Sequence, residues 1–521
     1  MMKRLCFPLL TAVCLLLLTS GFSQNSVSGE ISGIVTDPSG AVVPRATVTL
    51  SNPATGLTQN TVTTASGAYR FALLRPGTYT VSINATGFAK AQRDVVVSVG
   101  QVTSTSIQLS LSGATQTVEV MAETPLLHTD NANIATTYTS RDVELIPSPG
   151  QDITNYAFTA PGVTLSTGAG YGNFTAFGLP GTSNLYTVNG NDYNDPYLNL
   201  NNSGASNMAL GANELQELAV VNNGYTGEYG RAAGANVNYT TKSGTNQFHG
   251  DAMWYWNGTS LNANDWFANN TVDAAGNWAP TPRPHAVSNQ WAGSIGGPIK
   301  KDKLFFFYDN EGIRYVLPGG GGEVFVPTSG FETATIAHLT ATNASQVPFC
   351  NTIFKLYNGA PGIERATPLS SGQDPALGCG DLAGTGTLGV STPCAQTFQS
   401  TVNNLNKESL QTLRIDWNAS DRDKWNFRVK RDVGVQATGT DPINAAFNAN
   451  SNQPEWDGQG NWTRVFSNTS VNQFIASGLW YSALFGPPDI KASLAVFPTT
   501  ISFTDGGPLN NLGGSNNVYP Q

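Results

Sequence analysis

Residues 412–430, TLRIDWNASDRDKWNFRVK, constrain the fold of this chain more than any other stretch. On both arms apolar side chains occupy every second position, and polar or charged side chains occupy the positions between them. A period of two is that of a β-strand, and the short polar turn at 419–422 predicts an antiparallel hairpin. An apolar face opposite a charged face is typical of a membrane barrel, with apolar side chains outward, or of a soluble sandwich, with apolar side chains inward. The alternation alone does not give its sense.

The rest of the C-terminal half repeats this pattern with a regular rhythm of connections. Short turns lie near 298–303, 419–422 and 468–469, and long loops lie near 257–286, 316–408 and 435–459. Aromatic residues cluster near strand ends, as in FHGDAMWYW at 248–256 and LFFFY at 304–308. Short periplasmic turns, long external loops and aromatic strand ends are typical of an outer-membrane barrel, which we therefore predict.

The composition argues against a helical protein and against a nucleic-acid-binding protein. Only 12% of the residues are charged and 55 are glycine, which suits short strands and tight turns. No long stretch has the apolar period of a helix. The net charge of −9 argues against a nucleic-acid partner, which requires a basic surface.

The N-terminus has the features of an export signal. Lys3 and Arg4 precede an apolar run at 5–18, and small or polar residues follow it. This run is shorter than the ~20 residues that a spanning helix needs, so we predict a signal peptide at 1–23.

No residue pattern indicates catalysis. The four histidines are scattered, no pair of cysteines has metal-ligand spacing, and no nucleophile motif occurs. We therefore expect no enzymatic activity, no cofactor and no metal site. Cys350, Cys379 and Cys394 remain after signal removal; export permits a disulfide, but the sequence does not give the pairing.

Residues 27–112 show about seven short alternating strands separated by Gly/Pro turns, which predicts a β-sandwich. The stretch GIVTDPSGAVVPRATVTLSNPATG and the later SGAYRFALLRPGTYTVSINATGF resemble the carboxypeptidase regulatory-like domain, a transthyretin-like sandwich grouped with carbohydrate-binding-like folds. The resemblance implies either sugar or partner binding or a spacer role. The aromatics that stack on sugars are few (Tyr69, Phe71, Tyr79 and Phe88), and the alternation places most of them in the core.

The segment at 126–242 is rich in glycine and small polar residues. Ser140 is predicted to cap a short helix over 141–145. Asn189-Gly190 is predicted to form a hairpin turn, and residues 215–221 and 235–241 are predicted to form two strands. EYGR at 228–231, TKSGTN at 241–246 and FHG at 248–250 resemble the end of the plug domain of TonB-dependent receptors. The closest resemblance is to the Oar-like branch, in which a regulatory-like domain precedes the plug. The asparagine-rich run NLNNSGASN at 199–207 fits a solvated apical loop that contacts ligand, and an ordinary flexible loop is the alternative interpretation.

The linker at 113–125 contains an extended stretch that resembles a TonB box. In the family, an energy-coupling protein adds a strand to this box through backbone hydrogen bonds. The resemblance implies contact with a TonB-type protein through Thr117, Val118, Glu119, Val120, Met121 and Ala122. A plain linker or the last strand of the sandwich is the alternative interpretation.

The predicted fold is therefore mainly β. It comprises an N-terminal transthyretin-like β-sandwich, a small α/β plug domain and, from 243 to 521, an incomplete antiparallel transmembrane β-barrel. Plugged transporters have about 22 strands. Residues 243–521 supply about seven long ones, so we expect the chain to be a fragment that ends within the barrel.

The resemblance implies an outer-membrane TonB-dependent receptor of a Gram-negative-type bacterium. It would be surrounded by lipid and would bind an extracellular ligand such as a glycan, an oligopeptide or a metal chelate. The ligand would then pass to the periplasm at the expense of TonB-coupled energy. Two alternatives remain: a surface adhesion or carbohydrate-binding protein anchored by the barrel, and a soluble secreted β-protein.

Overall fold

The structure is a computed structural model, and it describes residues 28–111, 134–166, 173–202, 204–206, 208–223, 230–271, 277–280, 283, 285–318, 323–369, 394–400, 402–467, 470–501, 509–513 and 519–520. None of the helices within these ranges is long and apolar enough to cross a membrane. The predicted signal peptide and the TonB-box-like stretch lie outside the described residues.

The N-terminal part is a sandwich of two sheets. Its strands are β1 (Gly29–Thr36), β2 (Thr47–Asn52), β3 (Leu57–Val62), β4 (Ala68–Leu74), β5 (Gly77–Asn84), β6 (Ala91–Val97), β7 (Val102–Ser104) and β8 (Ile107–Gln108). One sheet has the order β4-β1-β7, with β8 also paired to β1, and the other has the order β3-β2-β5-β6. Alternating side chains of both sheets, such as Ile31, Val48 and Val81, form its buried core.

One detail of the sandwich differs from the alternation in sequence, and another agrees with it. The alternating residues at 41–50 form a strand only from Thr47, because Pro44 lacks an N–H group and Arg45 has a φ of 60°. Tyr69, Phe71 and Tyr79 are buried and Phe88 packs against the core, as the alternation predicts.

The second part, called the inner domain, covers the described residues of 134–241. Its elements are β9 (Ile134–Thr139), α1 (Ser140–Leu145), β10 (Val163–Leu165), β11 (Phe174–Ala176), β12 (Leu185–Val188), β13 (Asn191–Asp192), β14 (Leu215–Asn223) and β15 (Asn236–Thr241). Five strands form one sheet in the order β13-β12-β15-β14-β9. Tyr156, Phe174, Tyr186 and Tyr239 fill the core beside it.

The predicted turn and helix of the inner domain are both present. Asn189 and Gly190 have φ values of 48° and 83°, the left-handed pair that a two-residue hairpin between β12 and β13 requires. The cap of α1 is corrected by one residue. Thr139 caps the helix instead of Ser140, and its side chain and that of Asp142 hydrogen-bond each other's backbone N–H groups in a capping box.

The remaining strands are β16 (His249–Gly258), β17 (Val287–Lys300), β18 (Leu304–Pro318), β19 (Glu323–Pro327), β20 (Thr367–Pro368), β21 (Ala395–Gln399), β22 (Asn403–Asn418), β23 (Asp423–Gly439), β24 (Ala449–Asn452), β25 (Glu455–Ser467), β26 (Ser470–Tyr481), β27 (Leu484–Gly486) and β28 (Tyr519–Pro520). The helices are α2 (Trp266–Asn269), α3 (Ser329–Thr342), α4 (Val347–Asn358) and α5 (Ile490–Val496).

The long strands β16, β17, β18, β22, β23, β25 and β26 form one continuous antiparallel sheet, called the wall. The described residues do not close this sheet into a barrel. One end of the wall carries the predicted short turns and is called the short-turn end, and the other is called the long-loop end. The strands are longer than the apolar pattern suggests: β23 reaches Gly439 and β25 starts at Glu455, so the loop expected at 435–459 is shorter.

The structure gives the sense of the alternation. On β22 and β23, Leu413, Trp417, Phe427 and Val429 are between 46% and 49% exposed on the outer face. Arg414, Asp416, Arg428 and Lys430 are buried on the other face. Apolar side chains therefore point outward and charged ones inward, the arrangement of a membrane barrel and the opposite of a soluble sandwich.

At the long-loop end, segments of several loops fold together into what we call the loop module. It contains the three-stranded sheet β19-β21-β20 and helices α3, α4 and α5. Val324, Tyr357, Phe398, Phe447 and Phe497 belong to its core. The described segments of these loops are thus folded, which their low periodicity did not predict.

Candidate functional site

The charged face of the wall is buried against the inner domain. The charged side chains that it buries are Asp309, Glu311, Glu408, Arg414, Asp416, Arg428, Lys430, Asp432, Glu455 and Asp457. Carboxylates outnumber cations in this row. Buried charges are stable only when they are paired or hydrogen-bonded, so the inner domain must supply partners for the excess carboxylates.

Backbone and amide groups of the inner domain are those partners. The backbone N–H groups of Gly211 and Asn213 donate to Glu311 at 3.1 and 2.8 Å, and that of Ser206 donates to Glu408 at 2.8 Å. The Asn202 side chain donates to Glu455 at 2.9 Å. The described residues of 202–214 belong to no helix or sheet, and hydrogen bonds to the wall hold them in place.

This arrangement corrects the expectation of a solvated apical loop for most described residues of 199–207, although Asn199 is exposed. Asn201, Asn202, Ala205 and Ser206 are buried. Asn202 and Ser206 donate hydrogen bonds to the wall. The Asn201 backbone N–H donates to the Asn173 side chain within the inner domain. A run of polar residues is compatible with solvent and with a polar protein surface, so the sequence alone does not distinguish these two environments.

Ion pairs join the two bodies near the middle of the wall. Arg428 donates to Glu214 of the inner domain and to Asp457 of the wall, both at 2.6 Å. Lys430 lies 3.3 Å from Glu455 and hydrogen-bonds the hydroxyl group of Tyr193. Truncating either cation would leave carboxylates buried without a counter-charge.

The contacts continue to the short-turn end. Arg414 pairs with Asp416 at 3.0 Å and donates to the backbone carbonyl of Thr241, the last residue of β15, at 3.0 Å. Thr241 in turn donates its backbone N–H to the Asn189 side chain at 3.0 Å. The exit of the inner domain toward β16 is thereby fixed to the wall.

Near the long-loop end the inner domain carries a polar cavity of about 240 Å³. Its polar lining comprises the side chains or backbone of Thr182, Ser183, Asn184, Asn194, Asn199 and Arg231. Arg231 forms an ion pair with Asp192 and donates to Asn199 at 3.3 Å. Tyr197, two residues from Asn199, lies 6.4 Å from Tyr481 at the long-loop end of β26. These amides, hydroxyls and one cation suit a polar ligand.

A second cavity of about 340 Å³ lies in the loop module. Thr352, Lys355, Leu356, Gly359, Asn444 and Val496 line it. Cys350 on α4 is a free thiol, whereas Cys394 is in a disulfide whose partner lies outside the described residues. No group of three or more metal-ligating side chains occurs in the part of the chain that the structure describes.

The sequence predicted only part of this site. Arg414, Asp416, Arg428 and Lys430 were expected on one charged face and are found there. The acidic residues at Glu214, Glu311, Glu408 and Glu455 were not singled out. Asp309 and Glu311 are two positions apart in the strand that begins LFFFY. Residues with this spacing lie on the same face of a strand, so the sequence contained a signal that could have identified them.

Two family models match this chain. Residues 240–516 match the outer membrane beta barrel domain, and residues 30–110 match the carboxypeptidase regulatory-like domain. The chain belongs to the outer membrane beta barrel family. It is accordingly an outer-membrane protein of the Gram-negative type, and the apolar outer face of the wall contacts lipid.

Among curated proteins, the chain is similar to the TonB-dependent transporter Oar of Myxococcus xanthus, with 26% identity over 303 residues. The match covers 56% of this chain and 27% of that relative, so the chain spans about a quarter of its length. Solved structures with a similar shape include the outer membrane transporter YddB from Escherichia coli, with a TM-score of 0.42 and 11% identity over 68% of this chain and 40% of that one. The siderophore receptor PirA from Acinetobacter baumannii has a TM-score of 0.31 and 14% identity over 68% and 48% of the two chains.

Proposed function

We propose that this protein is a TonB-dependent outer-membrane transporter in which the inner domain is the plug. The observation that carries the proposal is the polar interface between the inner domain and the wall. Carboxylates, amides and backbone N–H groups make most of the contacts described above. Such groups are well solvated by water when they separate, so the inner domain is able to move without exposing a large apolar core.

The ligand binds at the long-loop end in this proposal. The polar cavity beside Asn199 and Arg231 and the folded loop module lie on the side that the short-turn rule places outside the cell. A ligand of polar character, such as a glycan, an oligopeptide or a metal chelate, fits the amide, hydroxyl and guanidinium groups of the cavity.

The energy-coupling partner acts from the periplasmic side. In this proposal the TonB-box-like stretch with Thr117, Val118, Glu119, Val120, Met121 and Ala122 is the contact for a TonB-type protein. Pairing by strand addition requires backbone N–H groups of this stretch, and the side chains contribute less.

The test is binding of the purified periplasmic domain of the host's TonB-type protein to the full chain in detergent. V118P/V120P is expected to lose binding at least about tenfold, because proline removes donor N–H groups, whereas the matched V118A/V120A variant keeps it. Equal binding by both variants would contradict strand addition at this stretch.

Transport itself is tested in cells with a panel of radiolabelled ferric chelates, oligopeptides and oligosaccharides. Uptake of at least one class should depend on this protein, stop with a proton uncoupler and fall in V118P/V120P but not in V118A/V120A. Protein-dependent uptake that persists with the uncoupler would indicate a passive pore instead.

The carbohydrate-binding alternative is less well supported. Tyr69, Phe71 and Tyr79 of the sandwich are buried, so they offer no stacking surface for sugars. The sandwich also contacts the short-turn end of the wall, which the turn rule places in the periplasm and away from extracellular glycans.

A further inference from the structure

One end of the sandwich contacts both the wall and the inner domain. We call this end the docking tip; it consists of residues 52–56, Arg75 and residues 98–101. Strands β2 and β6 end at this tip, and β1 and β5 begin there. The turn at Asp37–Gly40 lies at the far end of the same sandwich, where Gly40 has open space around it.

The first contact of the docking tip is with the wall. Arg75 pairs with Asp416 at 2.7 Å, and the Asp416 side chain is only 3% exposed. Asp416 is also held by Arg414, which reaches Thr241 of the inner domain. Charged hydrogen bonds to a buried carboxylate are stronger than those between exposed groups, so Arg75 is a specific anchor on the wall.

The second contact is with the inner domain. The Val99 backbone N–H donates to the Glu217 carboxylate at 3.0 Å, and the Gln101 side chain donates to Thr137 at 3.2 Å. Glu217 lies on β14 between β9 and β15 and is buried. Because an unpartnered buried carboxylate is costly, docking of Val99 satisfies a group that the inner domain leaves open on this face.

The third contact is with the short turns of the wall region. The Asn246 backbone N–H donates to the Ala54 carbonyl at 2.8 Å, and the Asn246 side chain donates to Asp302 at 2.6 Å. Gly56 has a φ of 65°, and a Cβ there would lie 2.0 Å from Asp302. This close approach requires glycine in the docking tip.

We propose that the sandwich is an intramolecular brace that docks on the periplasmic rim and restrains the inner domain. Since Arg75 is held by the wall while Val99 and Gln101 are held by the inner domain, the inner domain cannot shift relative to the wall without breaking one of the two sets. The inner domain is therefore released only when the docking tip loses its contacts either with the wall or with the inner domain. This inference goes beyond the proposed transport function and does not rest on it, because it concerns contacts present without ligand or partner.

Docking is tested by a disulfide across the third contact. A backbone hydrogen bond places two chains at a Cα separation of about 5 Å, within the range that a disulfide spans. A54C/N246C, made in the full chain with C350S to remove the free thiol, should crosslink without added oxidant in the periplasm. The matched pair S39C/N246C, with Ser39 at the far end of the sandwich, should not. Equal crosslinking by the two pairs, or none by either in folded protein, would overturn the docked position.

Restraint is tested by hydrogen–deuterium exchange of β9 and β14 in the full chain. R75A should accelerate exchange in both strands by at least about threefold, because opening of the inner domain becomes more frequent. The A54C/N246C crosslink should reverse this effect in the triple variant R75A/A54C/N246C, and reduction should restore it.

The control R45A, at the far end of the sandwich, should leave exchange unchanged. Unchanged exchange in R75A, with the crosslink still formed, would show a tether without restraint and overturn the proposal. Because neither readout needs ligand or TonB, a failure of the transport proposal leaves both tests interpretable.

Discussion

At the scale of single residues, burial and hydrogen bonds set the pKa of the Glu217 carboxylate. Glu217 lies in the inner domain and outside the wall strands. Burial raises its pKa to about 7 from an ordinary value of 4.5, although hydrogen bonds from the Val99 amide and the Ser98 side chain offset part of the shift. A proton on Glu217 therefore becomes linked to the stability of the docked structure.

The sign of this linkage gives a prediction. Between pH 4.5 and about 7 the folded state binds more protons at Glu217 than the unfolded state does. The free energy of unfolding therefore falls as pH rises through this window and stays low above it. E217Q keeps an oxygen acceptor for Val99 without the charge, so its urea midpoint should exceed that of the wild type at pH 8 and approach it at pH 5.

The measurement is pulse proteolysis of the inner domain in detergent at pH 5, 6, 7 and 8. E144Q is the control, since Glu144 is an exposed carboxylate on α1 of the same domain. An E217Q profile parallel to that of the wild type would show that Glu217 does not titrate in this range.

At the scale of elements, α1 illustrates how one position decides a helix start. Thr139 and Ser140 are both good cap residues by type, but only the residue with extended backbone geometry accepts the first free N–H groups. Thr139 has this geometry, with φ −76° and ψ 167°, because it ends strand β9. Pairing of β9 with β14 therefore sets the cap, and a local sequence window does not contain that information.

T139A should destabilise α1 by about 1 kcal/mol, because it removes the side-chain acceptor and half of the capping box. S140A, which leaves the cap intact, is the matched control and should be near neutral. Hydrogen–deuterium exchange of the amides in Ser140–Leu145 measures the difference. Equal effects of the two substitutions would contradict the assignment of Thr139 as the cap of α1.

At the scale of the whole molecule, polar contacts join the inner domain to the wall, and backbone ladders hold the wall itself together. The wall strands are paired along nearly their full lengths, as in the register between β18 and β22. The inner domain depends on individual groups such as Arg428, which bridges Glu214 and Asp457. The two parts should therefore respond differently to the loss of one contact.

R428A should lower the stability of the inner domain by about 3–5 kcal/mol, since two carboxylates lose their buried counter-charge. The wall should change much less. Urea titration with hydrogen exchange read separately for β14 and β18 separates the two responses. R431A is the control, because Arg431 lies three positions along β23 on the outer face, over the ring of Trp456. A common shift of both strands would mean that wall and inner domain unfold as one unit.

The sequence by itself determined the elements whose physics is local. The alternation at 412–430 predicted the β22–β23 hairpin and its charged face, and the Asn189-Gly190 pair predicted a left-handed turn. These predictions hold because strand period and turn geometry depend on neighbouring residues. The alternation and aromatic strand ends also predicted an outer-membrane barrel, and the match of residues 240–516 to the outer membrane beta barrel domain confirmed it.

Only the tertiary structure decided which surface each polar group faces. Asn202 and Ser206 of the asparagine-rich run are buried against the wall, and described parts of several long loops fold into a module. Arg75 reaches Asp416 across 341 positions of sequence. A polar side chain has the same local pattern whether its partner is water or a buried carboxylate. The environment that distinguishes the two cases is built by residues distant in sequence, so it exists only once the chain has folded.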